Sequence, residues 1–227
     1  MKKTTVLLCI SLLITLFSFS QNVMTPELLW SLGRVSPEMI SADGKNIIYG
    51  ITHYNITENK GERNLYSISV SGGEVKQITT TVGGEGNVLK MPNGKMGYVH
   101  KGQLYAAEWD GTNATQLTTI EGGISNVRFS PDGQYILYTQ DVKTKKTTAD
   151  MYSDLSKANV RIIDDLMYRH WDSWEDEYSS HVFFAPFTKN SVGTAKDIME
   201  GENYDCPQMP FGGLEDIIWN ADSKSIL

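Results

Sequence analysis

The part of this sequence best equipped for binding chemistry is residues 165–178, where aromatic side chains alternate with charges of both signs. Three of its acidic residues are consecutive. Carboxylates held in place by rigid aromatic rings suit a cationic group, such as the free amino terminus of a peptide. The residues taken as the candidate substrate-binding site are Arg169, Trp171, Asp172, Glu175, Asp176 and Glu177.

The same stretch also has a purely structural interpretation. In that case Tyr168, Trp171 and Trp174 would anchor a long loop to the rest of the fold. Arg169 would stack on an aromatic ring, and the charges would stay solvated. On the other hand, an insertion too long to be a bare connector usually serves binding. The sequence leaves both interpretations open.

Other kinds of chemistry find little support. The four histidines lack the spacing of metal ligands, and the paired glycines fall where turns are expected, so we predict no metal and no cofactor. No G-x-S-x-G occurs, so these 227 residues contain no nucleophile elbow and no predicted catalytic residue. With Lys+Arg at 20 and Asp+Glu at 27, the net charge is −7, which argues against a nucleic-acid partner.

The amino end has the composition of a secretory signal peptide. Lys2 and Lys3 precede an apolar run from Val6 to Phe19, and small residues lie before Gln21. The run is shorter than the roughly 20 apolar residues of a membrane span. We therefore expect residues 1–20 to be cleaved, no stable membrane anchor to remain, and the mature protein to be periplasmic or secreted.

Landmarks that recur at an interval of 39 residues define the fold. The pairs are Leu65-Tyr66 with Leu104-Tyr105, Gln77-Ile78-Thr79 with Gln116-Leu117-Thr118, and Gly94 with Gly133. Turn sequences such as Ser130-Pro131-Asp132-Gly133 separate short strands rich in β-branched and aromatic residues. Four short strands in about 40 residues are typical of a propeller blade. The sequence therefore predicts an all-β fold, a β-propeller of four-stranded blades.

The predicted units are not equal in length. A short helix in residues 21–34 is expected to lead into a partial propeller over 35–227, with about three blades and one further hairpin. In the first unit, residues 53–63 are predicted to be a polar loop between strands. In the third, residues from about 141 to 180 are predicted to be an insertion between the second and third strands, and this insertion carries the candidate site. Closed propellers have about 4 to 8 blades, so we expect the sequence to be the front part of a longer protein.

Several motifs closely resemble the propeller domain of the prolyl oligopeptidase family, especially its dipeptidyl-peptidase 5-like and acylaminoacyl-peptidase-like members. The motifs are Thr25-Pro26-Glu27-Leu28, Gly33-Arg34-Val35-Ser36, Ile120-Glu121-Gly122-Gly123-Ile124, Phe129-Ser130-Pro131-Asp132, Met167-Tyr168-Arg169-His170-Trp171-Asp172, Lys196-Asp197-Ile198-Met199-Glu200-Gly201-Glu202 and Pro210-Phe211-Gly212-Gly213. The resemblance covers nearly all of the chain after the signal peptide.

This resemblance implies an exported serine exopeptidase that removes dipeptides or blocked residues from oligopeptides. Its propeller would gate and orient the substrate, and a carboxy-terminal α/β-hydrolase domain, absent from this sequence, would carry a Ser-Asp-His triad beyond Leu227. Acidic propeller side chains would hold the substrate's amino group, a role that Glu175, Asp176 or Glu177 would fill. The expected partners are an oligopeptide, the hydrolase domain and, in a homodimer, a second copy.

An alternative from another class is also open. Propellers of the periplasmic Tol system share the turn and strand pattern, so the chain would then be a non-enzymatic scaffold that binds proteins.

Overall fold

The structure is a computed structural model in which the described residues are 24–155, 157–164, 166–171, 173–209 and 211–227. The expected signal peptide, residues 1–20, lies outside these ranges, and so does Asp172 of the candidate site. Among the described residues, no helix is both long enough and apolar enough to cross a membrane. Most of the regular structure is antiparallel β-sheet, as the sequence predicted.

The first unit is a short helix followed by a four-stranded antiparallel sheet. The helix α1 (Pro26–Ser31) starts after Thr25, whose side-chain oxygen accepts a hydrogen bond from the backbone N–H of Leu28 at 3.1 Å. This bond satisfies one of the N–H groups that a helix start leaves unpaired. The strands follow one another in space: β1 (Arg34–Ile40), β2 (Asn46–Asn55), β3 (Lys60–Ser69) and β4 (Lys76–Gln77).

The prediction of a polar loop at residues 53–63 was wrong. His53 pairs with Glu62 and Asn55 with Lys60, so β2 and β3 continue as one long hairpin up to a turn at residues 56–59. Polar residues are compatible with this pairing because the far end of the hairpin is exposed on both faces.

The second and third units repeat this arrangement. The second sheet contains β5 (Glu85–Lys90), β6 (Met96–His100), β7 (Gln103–Ala107) and β8 (Thr115–Gln116) in that order. The elements of the third unit are β9 (Ser125–Phe129), β10 (Tyr135–Lys143), the helix α2 (Thr148–Met151), a 3-10 turn (Ser153–Leu155), β11 (Arg169–His170), β12 (Ser173–Trp174), β13 (Tyr178–Thr188), β14 (Ser191–Val192) and β15 (Lys196–Asp197).

The third sheet is built around the long pair β10 and β13, with β9 on one side of it and β15 paired to β13. The pairing of β10 with β13 continues to Lys143 and Tyr178. The segment that leaves the sheet is therefore residues 144–177, which is narrower than the expected 141–180. We call residues 144–177 the insertion.

An aromatic pair recurs at the centre of each sheet. Tyr49 stacks on Tyr66 with ring centroids 5.9 Å apart, and Tyr98 stacks on Tyr105 at 5.5 Å. In the third sheet Tyr138 stacks on Phe183 at 5.6 Å. Directly opposed residues on neighbouring strands are close enough for such ring contacts. The three sheets are therefore repeats of one blade, and the predicted fold class is confirmed.

The hydrophobic core lies between successive blades. One buried cluster joins Ile48 and Leu65 of the first blade to Met96 of the second, and a larger one joins the second blade to the third. A third cluster packs Leu137 of the third blade against Ile217, which precedes the bridge between Trp219 and Ile226. Where the structure describes the insertion, none of its residues belongs to these three clusters.

Candidate functional site

The insertion presents its acidic residues next to a two-stranded hairpin. In that hairpin Arg169 pairs with Trp174, and His170 pairs with Ser173. The backbone N–H of Glu175 donates to the carbonyl oxygen of Tyr168 at 3.0 Å, which extends the ladder by one residue. Glu175 is therefore placed by the hairpin, although its side chain is exposed to solvent.

The other end of the acidic run is held by the third blade. The carbonyl oxygen of Glu177 accepts hydrogen bonds from the backbone N–H groups of Thr144 at 2.9 Å and Lys145 at 3.2 Å. The Asp176 carboxylate accepts from the backbone N–H of Tyr178 at 2.9 Å. The backbone of the acidic run is therefore hydrogen-bonded at both ends, to Tyr168 at Glu175 and to Thr144 and Lys145 at Glu177.

The ring of Trp174 contacts two arginines and a tyrosine of the insertion. The guanidinium carbons of Arg161 and Arg169 each lie 4.9 Å from its centroid. Tyr168 stacks beside it with centroids 6.3 Å apart. Arg169 thus stacks on a ring, as the alternation of aromatic and charged residues predicted.

The ring of Trp171 contacts a residue outside the insertion. Its side chain is 76% exposed, and its ring contacts are with His170 at 4.9 Å and Phe211 at 5.6 Å. His170 also meets the edge of Phe211 at 5.5 Å. These three rings form a small cluster that joins the insertion to the loop at 201–213, so Trp171 contacts the rest of the fold although it lies outside the core.

Two cavities flank the segment from Trp174 to Asp176, and the first has mixed charge. Its volume is about 330 Å³. The basic side chains Lys145, Lys146 and Arg161 line it together with the whole acidic run, and its remaining wall is largely apolar. We call it the mixed cavity.

The second cavity is lined by carboxylates. Its volume is about 270 Å³, and its acidic residues are Asp141, Glu175, Asp176 and Asp205. Its described lining contains no lysine or arginine, and its remaining walls include His170, Trp174 and Tyr178. We call it the acidic cavity.

The acidic cavity draws on three separate parts of the chain. Asp141 belongs to β10, whereas Asp205 lies in the loop after β15 and accepts a hydrogen bond from the backbone N–H of Ser180 at 2.6 Å. That bond ties the loop to β13. The cavity therefore lies where the insertion, the third blade and the loop at 201–213 meet.

The predicted site residues are only partly brought together. Glu175 and Asp176 line both cavities, whereas Glu177 lines the mixed cavity alone. Arg169 and Trp171 line neither cavity and act within the hairpin and the exposed aromatic cluster. Asp172 lies outside the described residues.

The sequence interpretation missed Asp141 and Asp205. Asp141 stands near the end of a strand whose other residues are largely apolar, and aspartate is disfavoured in strands, so its position was a usable local signal. Asp205 lies in an irregular loop and carries no comparable signal. In the part of the chain that the structure describes, no three His, Cys, Asp or Glu side chains are grouped to hold a metal ion.

The chain is similar in sequence to two curated peptidases. It is 43% identical over 208 residues to dipeptidyl-peptidase 5 of Porphyromonas gingivalis, which covers 89% of this chain and 30% of that protein. It is 31% identical over 239 residues to dipeptidyl-peptidase 5 of Porphyromonas endodontalis, covering 90% of this chain and 30% of that protein. The chain thus spans about a third of the length of these relatives. No family model matches it.

The fold is similar to that of a solved peptidase. The acylaminoacyl peptidase of Pyrococcus horikoshii superimposes with a TM-score of 0.52 at 13% sequence identity, over 74% of this chain and 25% of that one. TolB of Acinetobacter baumannii superimposes with a TM-score of 0.48 at 18% sequence identity, over 86% of this chain and 37% of that one. The sequence relatives are peptidases, and the Tol-type alternative is not better supported.

The repeated four-stranded sheets and the shared fold define a propeller-type amino-terminal domain. Together with the sequence matches, they support a prolyl oligopeptidase-family peptidase, of which this chain resembles the amino-terminal part.

Proposed function

We propose that this chain is the propeller portion of an exported serine exopeptidase and that its acidic cavity binds the free amino group of an oligopeptide substrate. The observation that carries the proposal is the lining of that cavity, which includes four acidic residues and, among the described residues, no lysine or arginine. An ammonium group donates three charge-assisted hydrogen bonds, which are about twice as strong as neutral ones.

The size and position of the acidic cavity fit this role. A volume of about 270 Å³ lies below the roughly 300 to 1,000 Å³ of pockets that enclose a whole drug-sized ligand. It suits one end of a peptide, with the rest of the peptide extending outward. The Glu175 and Asp176 side chains are exposed, so they reach a substrate without a conformational change.

Catalysis in this proposal belongs to residues beyond Leu227. A serine nucleophile, with aspartate and histidine partners, would attack the carbonyl carbon of the scissile bond. The amino-group contact fixes how far that bond lies from the anchored end, so cleavage after a set number of residues follows from geometry. The propeller narrows access for longer or folded chains.

The test of the binding role compares free and blocked amino ends. In the full-length protein, Glu175→Gln and Asp176→Asn are assayed with a dipeptidyl 4-nitroanilide and with its N-acetylated form. We expect kcat/KM for the free-amino substrate to fall about tenfold or more, since a lost hydrogen bond to a charged group is worth about 1.5 to 3 kcal/mol. The ratio of kcat/KM between the two substrates should change accordingly.

The matched control is Glu74→Gln, an exposed carboxylate in the turn after β3, far along the chain from the cavity. It should leave the ratio between the two substrates unchanged. An unaltered ratio in both cavity variants would defeat the binding role.

The enzymatic class and the export are tested separately. The coding sequence downstream of Leu227 should contain a G-x-S-x-G followed by aspartate and histidine. A stop codon shortly after one further blade would instead support a scaffold. Mass spectrometry of the mature amino terminus should find Gln21 as the first residue, and retention of Met1 would contradict cleavage.

A further inference from the structure

The charges around Trp174 are arranged in an unexpected way. Arg161 lines the mixed cavity together with Glu175, Asp176 and Glu177, and Arg169 pairs in the hairpin with Trp174, the residue next to Glu175. A guanidinium group pairs readily with a carboxylate. Yet among the described residues the ion pairs join Arg63 to Glu38, Lys95 to Glu108, Lys143 to Asp150 and His181 to Asp197. Neither arginine of the insertion pairs with Glu175, Asp176 or Glu177 there.

Both guanidinium groups are instead engaged by aromatic and backbone groups. Each lies 4.9 Å from the centre of the Trp174 ring, and the Nε of Arg169 also donates to the carbonyl oxygen of Trp171 at 2.8 Å. An exposed cation–π contact is worth about as much as an exposed ion pair. The Trp174 ring and a neighbouring carboxylate would therefore bind a guanidinium group with similar free energies.

The cation–π contacts on Trp174 matter for binding because the next residue in the chain lines the acidic cavity. Glu175 follows directly, and its backbone is tied to Tyr168, whose ring also stacks on Trp174. If the Trp174 ring were absent, both arginines would be free to reach the carboxylates beside them. A paired carboxylate is neutralised and is no longer available to an incoming ammonium group.

We propose that Trp174 is a positioning residue that holds Arg161 and Arg169 away from Glu175 and Asp176, so that the acidic cavity keeps its negative charge. This inference rests on the proposed function, because it assigns the charge of the cavity to substrate binding. It adds that the selectivity for a free amino end depends on an aromatic ring, and that the two arginines oppose binding when that ring is removed.

The test uses the full-length protein and the two substrates described above. Trp174→Met keeps an apolar side chain and removes the π face. We expect KM for the free-amino substrate to rise about tenfold with kcat unchanged, and KM for the acetylated substrate to stay the same. Trp174→Tyr retains a π face and should remain within about threefold of the wild type.

The decisive variant combines Trp174→Met with Arg161→Met and Arg169→Met. With the cations removed, KM for the free-amino substrate should return most of the way to the wild-type value. If Trp174 had only a structural role, the triple variant would be more impaired than the single one, and that result would overturn the proposal. An equal loss on both substrates in Trp174→Met would do the same.

A matched control exists elsewhere in the chain. Trp30 also carries an arginine over its ring, with the Arg34 guanidinium carbon at 5.7 Å, and its exposure of 45% is close to the 40% of Trp174. Trp30→Met should therefore reproduce any general effect of losing such a contact, and it should leave KM for both substrates unchanged. Thermal midpoints of all variants report whether each one is folded.

The two proposals fail in different ways. If Glu175→Gln and Asp176→Asn alter the preference for a free amino end but Trp174→Met does not, only the role of Trp174 is wrong. If the carboxylate variants leave the preference unchanged, the binding role of the cavity is wrong as well.

Discussion

At the scale of single residues, Arg63 connects two blades. It belongs to β3, but its side chain crosses Gly50 of β2 and reaches β1, where it donates to the Ser36 hydroxyl at 2.9 Å and pairs with Glu38. It also donates to the backbone carbonyl of Glu85 on the second blade. One side chain thus ties the first blade to the second, and Gly50 leaves the space for it.

Gly50→Ala should lower the free energy of unfolding by about 1 to 3 kcal/mol, because the added methyl group overlaps the Arg63 guanidinium and displaces it from Glu38. Urea unfolding measures the change. Gly86→Ala is the control, since a methyl group there would meet no atom within 4 Å. Equal stability of the two variants would contradict the role assigned to Arg63.

Glu85 itself makes the stability depend on pH. Its carboxyl is almost fully buried, and burial raises its pKa above the ordinary value of 4.5, although the Thr79 hydroxyl and the charges of His100 and Arg63 partly oppose this shift. The folded state therefore holds this proton more tightly than the unfolded state. The contribution of Glu85 to stability is fully present below the ordinary pKa and is lost as the pH rises through the raised one.

Glu85→Gln should remove this dependence. The free energy of unfolding of the variant should match that of the wild type at about pH 4, where the carboxyl is mostly protonated in both the folded and the unfolded state. At about pH 7 the variant should be the more stable protein. Urea unfolding at several pH values gives the difference, with Glu74→Gln as the exposed control. A difference that stays constant with pH would show that the charge of Glu85 is irrelevant.

At the scale of elements, the hairpin turns recur with the same hydrogen bonds. In the first blade the Ser41 hydroxyl donates to Asp43 at 2.6 Å, and in the third the Ser130 hydroxyl donates to Asp132 at 2.6 Å. These bonds hold the pKa of both carboxyls below the usual range. The glycine that closes each turn has a positive φ, which only glycine adopts readily.

Alanine substitutions at Gly44 and Gly133 distinguish the cost of backbone strain from the cost of a steric contact. Their φ values are +72° and +70°, but a methyl group at Gly133 would lie 2.7 Å from Pro92, whereas one at Gly44 would meet no atom within 4 Å. Gly44→Ala should cost about 1 to 2 kcal/mol from the left-handed conformation alone. Gly133→Ala should cost more, and thermal or urea unfolding that ranks the two variants in the reverse order would refute the contact with Pro92.

These turns also explain which elements the sequence could predict. Ser-Pro-Asp-Gly works through bonds within four residues, so its presence in the sequence was enough to locate the third hairpin. The pairing of His53 with Glu62 depends on the partner strand, and a polar composition suggested a loop instead. Asp205 reaches the acidic cavity through a bond to the backbone of Ser180 on another strand, which no local pattern indicates.

At the scale of the whole molecule, the buried core and the insertion are separate. The buried clusters lie between blades and include none of the described residues of the insertion, whose side chains are exposed or half-buried. The repeat interval was therefore enough to predict the blades, because each one packs the same positions against its neighbour. The insertion interrupts that repeat, so its position in the sequence indicated the candidate site. The sequence did not indicate which charged residues line the same cavity.

This separation leads to a prediction for the complete protein. Replacing residues 145–176 by Asn-Gly should leave the propeller folded, because Thr144 is already hydrogen-bonded to Glu177 and a two-residue turn joins antiparallel strands at such a pair. Since none of the described residues of the deleted segment belongs to a buried cluster, the free energy of unfolding in urea should change by no more than about 1 kcal/mol. The shortened protein should cleave the acetylated substrate but lose its preference for the free amino end. A broad, non-cooperative unfolding transition would show instead that the insertion is part of the scaffold.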